Sequence, residues 1–331
     1  MDRHTVVVTG AGGFLGGHLV ADLRRRGASR IRAVDIRPVA DWQQAFDDVE
    51  NLVLDLRQAE SCVAACRGVQ TVFNLAADMG GMGFIEGNKA ACMLNVLISS
   101  HMLVAARDSG VERFFYSSSA CVYAADRQTS VDAAPLQEED AYPAMPEDGY
   151  GWEKLFSERM CRHFCEDYGL ETRIARLHNV YGPHGTWKGG REKAPAALCR
   201  KVIEARSSGR HEIEIWGDGE QTRSFTFIDD CLRGMQLILD SEVRTPLNLG
   251  SSEQVSINQL VDILEEIAGF ELERKYRLDA PLGVRGRNSD NTRIEQLLGW
   301  SPETSLRTGM SRTYDWILGE YLRQEAAASE R

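Results

Sequence analysis

Thr5-Val6-Val7-Val8-Thr9-Gly10-Ala11-Gly12-Gly13-Phe14-Leu15-Gly16 is the stretch whose reading decides the fold. A β-branched run ends in glycine, and an apolar-periodic segment, residues 14–23, follows it. That pattern predicts strand, tight turn and helix. Gly10, Gly13 and Gly16 stand at GxxGxxG spacing. Such a turn carries no side chains, so backbone N–H groups and the helix start at Phe14 and Leu15 can approach a pyrophosphate. A second strand, 31–34, ends in Asp35. A carboxylate there accepts both ribose hydroxyls of an adenosine and repels a 2′-phosphate, so NAD is favoured over NADP.

The alternation continues outward. Residues 51–54 read as a strand ending in Asp55, a candidate for the adenine, and 59–66 as a helix. A strand over 69–76 brings Ala76 into the loop Ala77-Asp78-Met79-Gly80-Gly81-Met82-Gly83, over which a cofactor could lie. A long helix (88–109), a strand (111–117), a helix (149–168) and a strand (172–177) follow. This βαβ rhythm predicts an α/β fold, a Rossmann-type doubly wound parallel sheet with ligands outside the carboxyl ends of its strands.

After His178 the rhythm changes. Helices are predicted over 194–207, 257–268 and 306–321, strands over 212–216 and 246–250, and a charged loop over 281–291. The polar, alanine-rich 324–331 is expected to fray. The expected division is an NAD-binding domain over 1–178, with a returning segment near 225–250. A smaller, mixed C-terminal substrate domain takes 179–224 and 251–331.

The 331 residues suffice for one large or two coupled domains, and the net charge of −11 gives no reason to expect nucleic acid or an anionic membrane. No transmembrane helix and no signal peptide is expected. The 8 cysteines are scattered, with 62/66 and 161/165 at helical spacing, and the histidines show no ligand spacing. Reduced thiols, a cytoplasmic setting and no metal are therefore expected.

Tyr150 and Lys154 share one helix face at i, i+4 spacing, and a lysine there can lower the tyrosine's pKa and make it a base. Many solvated helices carry this pair. Its company singles it out: the glycine turn, Ser119-Ala120-Cys121 before it and Lys193 after it. Cys121 lies just past the strand that leads to Ser119, at the carboxyl edge of the sheet, where a small thiol becomes a candidate base. The residues alone do not separate Lys193 from Lys188 or Lys201.

The glycine turn, the acidic residue after the second strand, the serine before YxxxK, and Asn179-Val180-Tyr181-Gly182-Pro183 resemble the extended short-chain dehydrogenase/reductases that act on nucleotide sugars. More narrowly, 77–85, 118–123, 185–195 (GTWKGGREKAP), 216–229 (WGDGEQTRSFTFID) and 283–291 (GVRGRNSDN) resemble the GDP-mannose 3,5-epimerases. The resemblance implies an NAD-dependent route on GDP-mannose or a related nucleotide sugar. Tyr150, helped by Lys154, takes the 4-hydroxyl proton as hydride leaves C4, and Ser119 holds the same oxygen. The ketone acidifies C3 and C5, Cys121 and Lys193 invert them, and C4 is reduced again. Related dehydratases carry Asp-Glu after the serine or threonine, where this chain has Ala120-Cys121.

The resemblance also implies a substrate set of Gly80, Ser119, Ala120, Cys121, Asn179, Glu192, Lys193, Ala194, Lys201, Gln221, Thr222, Arg223, Arg285 and Arg287. The three arginines are candidates to grip the diphosphate. A homodimer through the helices 88–109 and 149–168 is expected on the same ground. An epimerase for another nucleotide sugar, or a non-catalytic NAD-binding protein, are the competing expectations.

Overall fold

The structure, a computed structural model, describes residues 4–147 and 149–329. Fourteen strands occur among them: β1 Thr5–Thr9, β2 Arg30–Asp35, β3 Glu50–Val53, β4 Thr71–Asn74, β5 Arg113–Ser119, β6 Glu171–Leu177, β7 Val180–Tyr181, β8 Glu212–Trp216, β9 Thr222–Ser224, β10 Thr226–Phe227, β11 Leu247–Leu249, β12 Gln254–Ser256, β13 Glu273–Arg277 and β14 Gly286–Arg287. The helices are α1 Phe14–Arg25, α2 Ala59–Cys66, α3 Met82–Gly87, α4 Lys89–Met93, α5 Asn95–Asp108, α6 Tyr150–Tyr168, α7 Ala194–Ser208, α8 Ile228–Asp240, α9 Ile257–Ala268, α10 Thr292–Leu298 and α11 Leu306–Ser329.

Seven strands form one parallel sheet in the order β11-β6-β5-β4-β1-β2-β3. The order turns at β1, between β4 and β2, and that crevice is where such folds bind dinucleotides. β1 is buried over its whole length because helices cover both faces of the sheet. Val7 points into the core shared with α2, α5 and α6, while Val6 and Val8 point into the core shared with α1 and α8. The second core runs on into α7, α9 and α11, which pack on one another. Around these three helices lie the small sheets: β8 with β13, β9 between β12 and β14, and β7 with β10.

Three sequence expectations need correction. The predicted helix 88–109 is two helices, α4 and α5, parted at Leu94. The break falls where the buried Asn95 amide turns inward to clamp Asp78, accepting its N–H at 2.7 Å and donating to its carbonyl at 3.1 Å. The tail predicted to fray stays helical to Ser329, since Gln, Glu and Ala favour helix and no Gly or Pro interrupts them; residues 330–331 lie outside the described residues. Finally, Lys89–Asp108 is apolar and long enough to cross a membrane by length and composition alone. One face of α5 packs between α2 and α6, and the rest of the apolar surface, Met93, Leu97 and Val104 among it, stays exposed.

Candidate active site

The glycine turn is a cradle that side chains would fill. Gly10 takes φ +69°, and a Cβ on Gly16 would stand 2.2 Å from the Gly10 carbonyl oxygen. α1 starts at Phe14 with no side chain capping it and no acid in its first turn, leaving its N–H groups free to meet an anion. Asp35 is buried at the end of β2, where one oxygen accepts the Gly12 N–H at 3.0 Å and the other accepts from Arg37. Ala76 is tied to β1 through Thr9 Oγ1 at 3.1 Å. Asp55 sits at the rim, paired with Arg57, whose guanidinium holds its carboxyl below the usual range. These residues fit a dinucleotide with an unphosphorylated ribose.

β5 runs two residues further than its sequence suggests, so Ser119 closes the strand opposite Leu177. The chain then makes a short turn over Ala120–Val122, fixed by the Cys121 N–H bonding to Ser119 Oγ at 3.2 Å. α6 begins directly against this turn. A Cβ on Gly151 would lie 2.3 Å from the Cys121 carbonyl oxygen, so the glycine after Tyr150 permits the approach that brings tyrosine, serine and cysteine together.

Lys154 is buried behind Tyr150. Its ammonium donates to Ser117 O at 3.1 Å and stands 5.5 Å from the Tyr150 ring centroid. The lysine was expected to lower the phenol's pKa. Burial instead pushes Tyr150 well above its ordinary range, Cys121 and Glu153 add to this, and the Ser119 hydroxyl opposes it.

One cavity of about 330 Å³ opens at this edge. Of the predicted residues, Gly80, Ser119, Ala120, Cys121, Tyr150, Asn179, Glu192, Lys193, Ala194, Lys201, Gln221, Arg223 and Arg287 line it. Five cations, Lys193, Arg200, Lys201, Arg223 and Arg287, face three carboxylates, Glu147, Glu192 and Glu214. The wall therefore suits an anionic ligand in an acidic protein.

Lys193 caps the start of α7 and is open to the cavity, yet enclosed by protein mass. Burial lowers its pKa, against the opposing pull of Cys121 and Cys231. Arg223 donates to the carbonyls of Thr222, Leu282 and Val284, and burial brings its guanidinium down to about 10, so it is still a cation at neutral pH.

Two predicted ligands lie outside the cavity lining. Thr222 turns its hydroxyl to Val131 O at 2.6 Å. Arg285 forks onto Asp218 at 2.7 and 2.8 Å near the surface, which draws that carboxyl down to about 2. A third, Arg287, lines the cavity but is engaged by Glu147, Gln128 and Cys121 rather than left free for a diphosphate. Sequence reasoning missed Glu147, Glu214 and Trp216. The one local signal for Glu147 is its place three residues before Tyr150.

The profile of the NAD-dependent epimerase/dehydratase family matches residues 6–250. GDP-mannose 3,5-epimerase 1 of Oryza sativa subsp. japonica is 47% identical over 96% of this chain and 82% of its own length. GDP-mannose 3,5-epimerase of Arabidopsis thaliana is 45% identical over 98% of this chain and 85% of its own. Among solved structures, UDP-glucose 4-epimerase of Thermotoga maritima with UDP-glucose superposes with a TM-score of 0.84 at 25% identity, covering 96% of this chain and 99% of that one.

Proposed function

Because this chain belongs to the NAD-dependent epimerase/dehydratase family, we propose that it inverts C3 and C5 of GDP-mannose, giving GDP-L-galactose, and GDP-L-gulose when C5 alone inverts. One observation carries the reading: Ser119, Cys121, Tyr150 and Lys193 all line a single cavity with a cationic wall.

Gly10, Gly13, Phe14, Leu15, Gly16, Asp35 and Ala76 would hold NAD, with Asp55 at the adenine end. When bound, NAD would supply a hydride acceptor and donor. Tyr150 exchanges the proton of the 4-hydroxyl, with the Lys154 ammonium buried behind its ring. Ser119 holds the same oxygen by a hydrogen bond. Cys121 and Lys193 take and return the protons at C5 and C3. Burial of Lys193 favours the neutral amine, which suits an ammonium that must give up a proton. No carboxylate follows Ser119 to expel water, so inversion is favoured over dehydration. Arg223 and Lys201 hold the nucleotide end, with Asn179 and Gln221 beside them.

The reading includes a homodimer, supported by the exposed Met93, Leu97, Val104, Trp152 and Phe156 along α4, α5 and α6. A cytoplasmic setting is supported by eight free thiols. The test is product analysis by NMR after incubation with GDP-mannose, beside UDP-glucose and UDP-galactose. GDP-L-galactose from GDP-mannose supports the proposal. Turnover of the UDP-sugars alone replaces it with an epimerase for another nucleotide sugar, and no turnover of any replaces it with an NAD-binding protein.

A further inference from the structure

The loop that carries β14 returns to the floor of the cavity and lays a guanidinium on the Cys121 sulfur. Arg287 Nη1 stands 3.7 Å from Cys121 Sγ, across 166 residues of sequence. Its Nε donates to Gln128 Oε1 at 2.6 Å, and its Nη2 pairs with Glu147. Arg287 is 5% exposed, and the Glu147 side chain is 13% exposed. The guanidinium is therefore fixed on three sides, and sulfur is the third partner.

The packing has reasons. A Cβ on Gly286 would stand 2.1 Å from Ser130 O, so only glycine lets β14 come this close to the chain at 130–131, just past Gln128. The Glu147 N–H bonds to the Cys121 carbonyl at 3.1 Å, so carboxylate and thiol belong to one rigid corner.

We propose that Arg287 is the counter-charge that stabilises Cys121 as a thiolate, and that Glu147 and Gln128 are positioning residues that hold the guanidinium against the sulfur. This rests on the reading of Cys121 as one of the two groups working at the ring carbons. It assigns Arg287 to the acid–base machinery in place of a diphosphate grip. A fixed cation at this distance stabilises a negative sulfur, and the paired carboxylate limits how far.

Other groups face the thiol as well: Tyr150 from α6, Cys92 from α4, Lys193 from the start of α7 and Arg223 from β9. Arg223 and Lys193 are cations that reinforce Arg287, whereas Tyr150 and Cys92 are held protonated by burial. Of the two reinforcing cations, Lys193 must itself change protonation during turnover. Arg223 keeps its charge but turns its guanidinium to three backbone carbonyls rather than to the sulfur. Arg287 is left as the permanent charge in hydrogen-bond contact with the sulfur.

The test is the pH dependence of Cys121 alkylation by iodoacetamide, read by mass spectrometry of its peptide in the full-length protein with NAD bound. Removing the cation in Arg287→Met should raise the midpoint by about one pH unit or more. Removing the anion in Glu147→Gln should lower it, because the guanidinium then acts on sulfur alone. Arg287→Lys, which keeps the charge and loses the fork, should stay close to the parent and covers the case in which Arg287→Met does not fold. A protein that only lost its packing would not move in opposite directions for the two changes. Unmoved midpoints, or shifts of one sign, overturn the proposal. Alkylation needs no turnover. Opposite shifts in a protein inert toward GDP-mannose would therefore remove the epimerase reading and keep the counter-charge, and the converse result would do the reverse.

Discussion

The glycine turn and the cavity floor stand on the same edge of the sheet and are built from different material. At the turn, function lies in backbone left bare: Gly10, Gly13 and Gly16 keep a path open, and the one charged contributor, Asp35, is fixed by the turn itself through Gly12. At the floor the cavity is lined by side chains delivered from five distant places, Cys121, Tyr150, Lys193, Arg223 and Arg287. A local motif suffices to bind a dinucleotide, because only shape and a helix start are needed. Moving protons at carbon needs charges set against one another in an enclosed space, and only the whole fold supplies that.

The floor should fail first and most deeply. Cys121→Ala and Lys193→Ala should each lower epimerisation by about 10²- to 10⁴-fold, the range for a lost general acid or base, while NAD stays bound. Steady-state assays with chromatography of the nucleotide sugars, beside quantitation of released NAD, measure both.

The buried chain just past β6 should respond to acid. His178 is fully buried, bonded to Asn248 at 3.0 Å, and burial pushes its imidazole from 6.5 down to about 4. Between those values the unfolded chain binds a proton that the folded one does not. Stability should therefore be lost as pH falls from about 6.5 towards 4, by up to roughly 3 kcal/mol from this ring. Urea unfolding at pH 7 and pH 4.5 should show a smaller fall in His178→Gln than in the parent.

The turn should fail by shape. Gly16→Ala sets a methyl 2.2 Å from the Gly10 carbonyl, and NAD retention should drop by about tenfold or more with the sugar site intact. Calorimetric titration with NAD, and with GDP for the sugar site, separates the two.

Two arginines sharpen the contrast at the smallest scale. Arg223→Met should raise KM for GDP-mannose by about 10- to 100-fold, the worth of a charged hydrogen bond. Arg285→Met should change it by less than about twofold, because Arg285 is spent on Asp218 near the surface, where an ion pair is worth little. Equal effects would return Arg285 to the ligand set.

What could be read from the sequence follows the same division. The glycine turn, Asp35, the alternating strands and the Tyr150–Lys154 pair are local patterns, each legible within a few residues. The joining of Cys121 to Arg287 is not, since it depends on a loop 166 residues away and on Gly286 letting that loop in. Lys193 and most of the substrate residues rested on resemblance alone. Arg285 and Arg287 looked alike as diphosphate ligands because sequence gives charge but not partner. The split at Leu94 and the helical tail were missed because burial of Asn95 and the propensity of an exposed alanine-rich end are not periodic signals.

Incubation with GDP-mannose in D₂O, with deuterium located by NMR at each ring carbon, tests the floor most directly. Deuterium should enter C3 and C5 and not C4, and either Cys121→Ala or Lys193→Ala should abolish it. Products that carry no solvent deuterium at C3 or C5, or undiminished exchange in both variants, would contradict the assignment of Cys121 and Lys193 as the groups that move the protons.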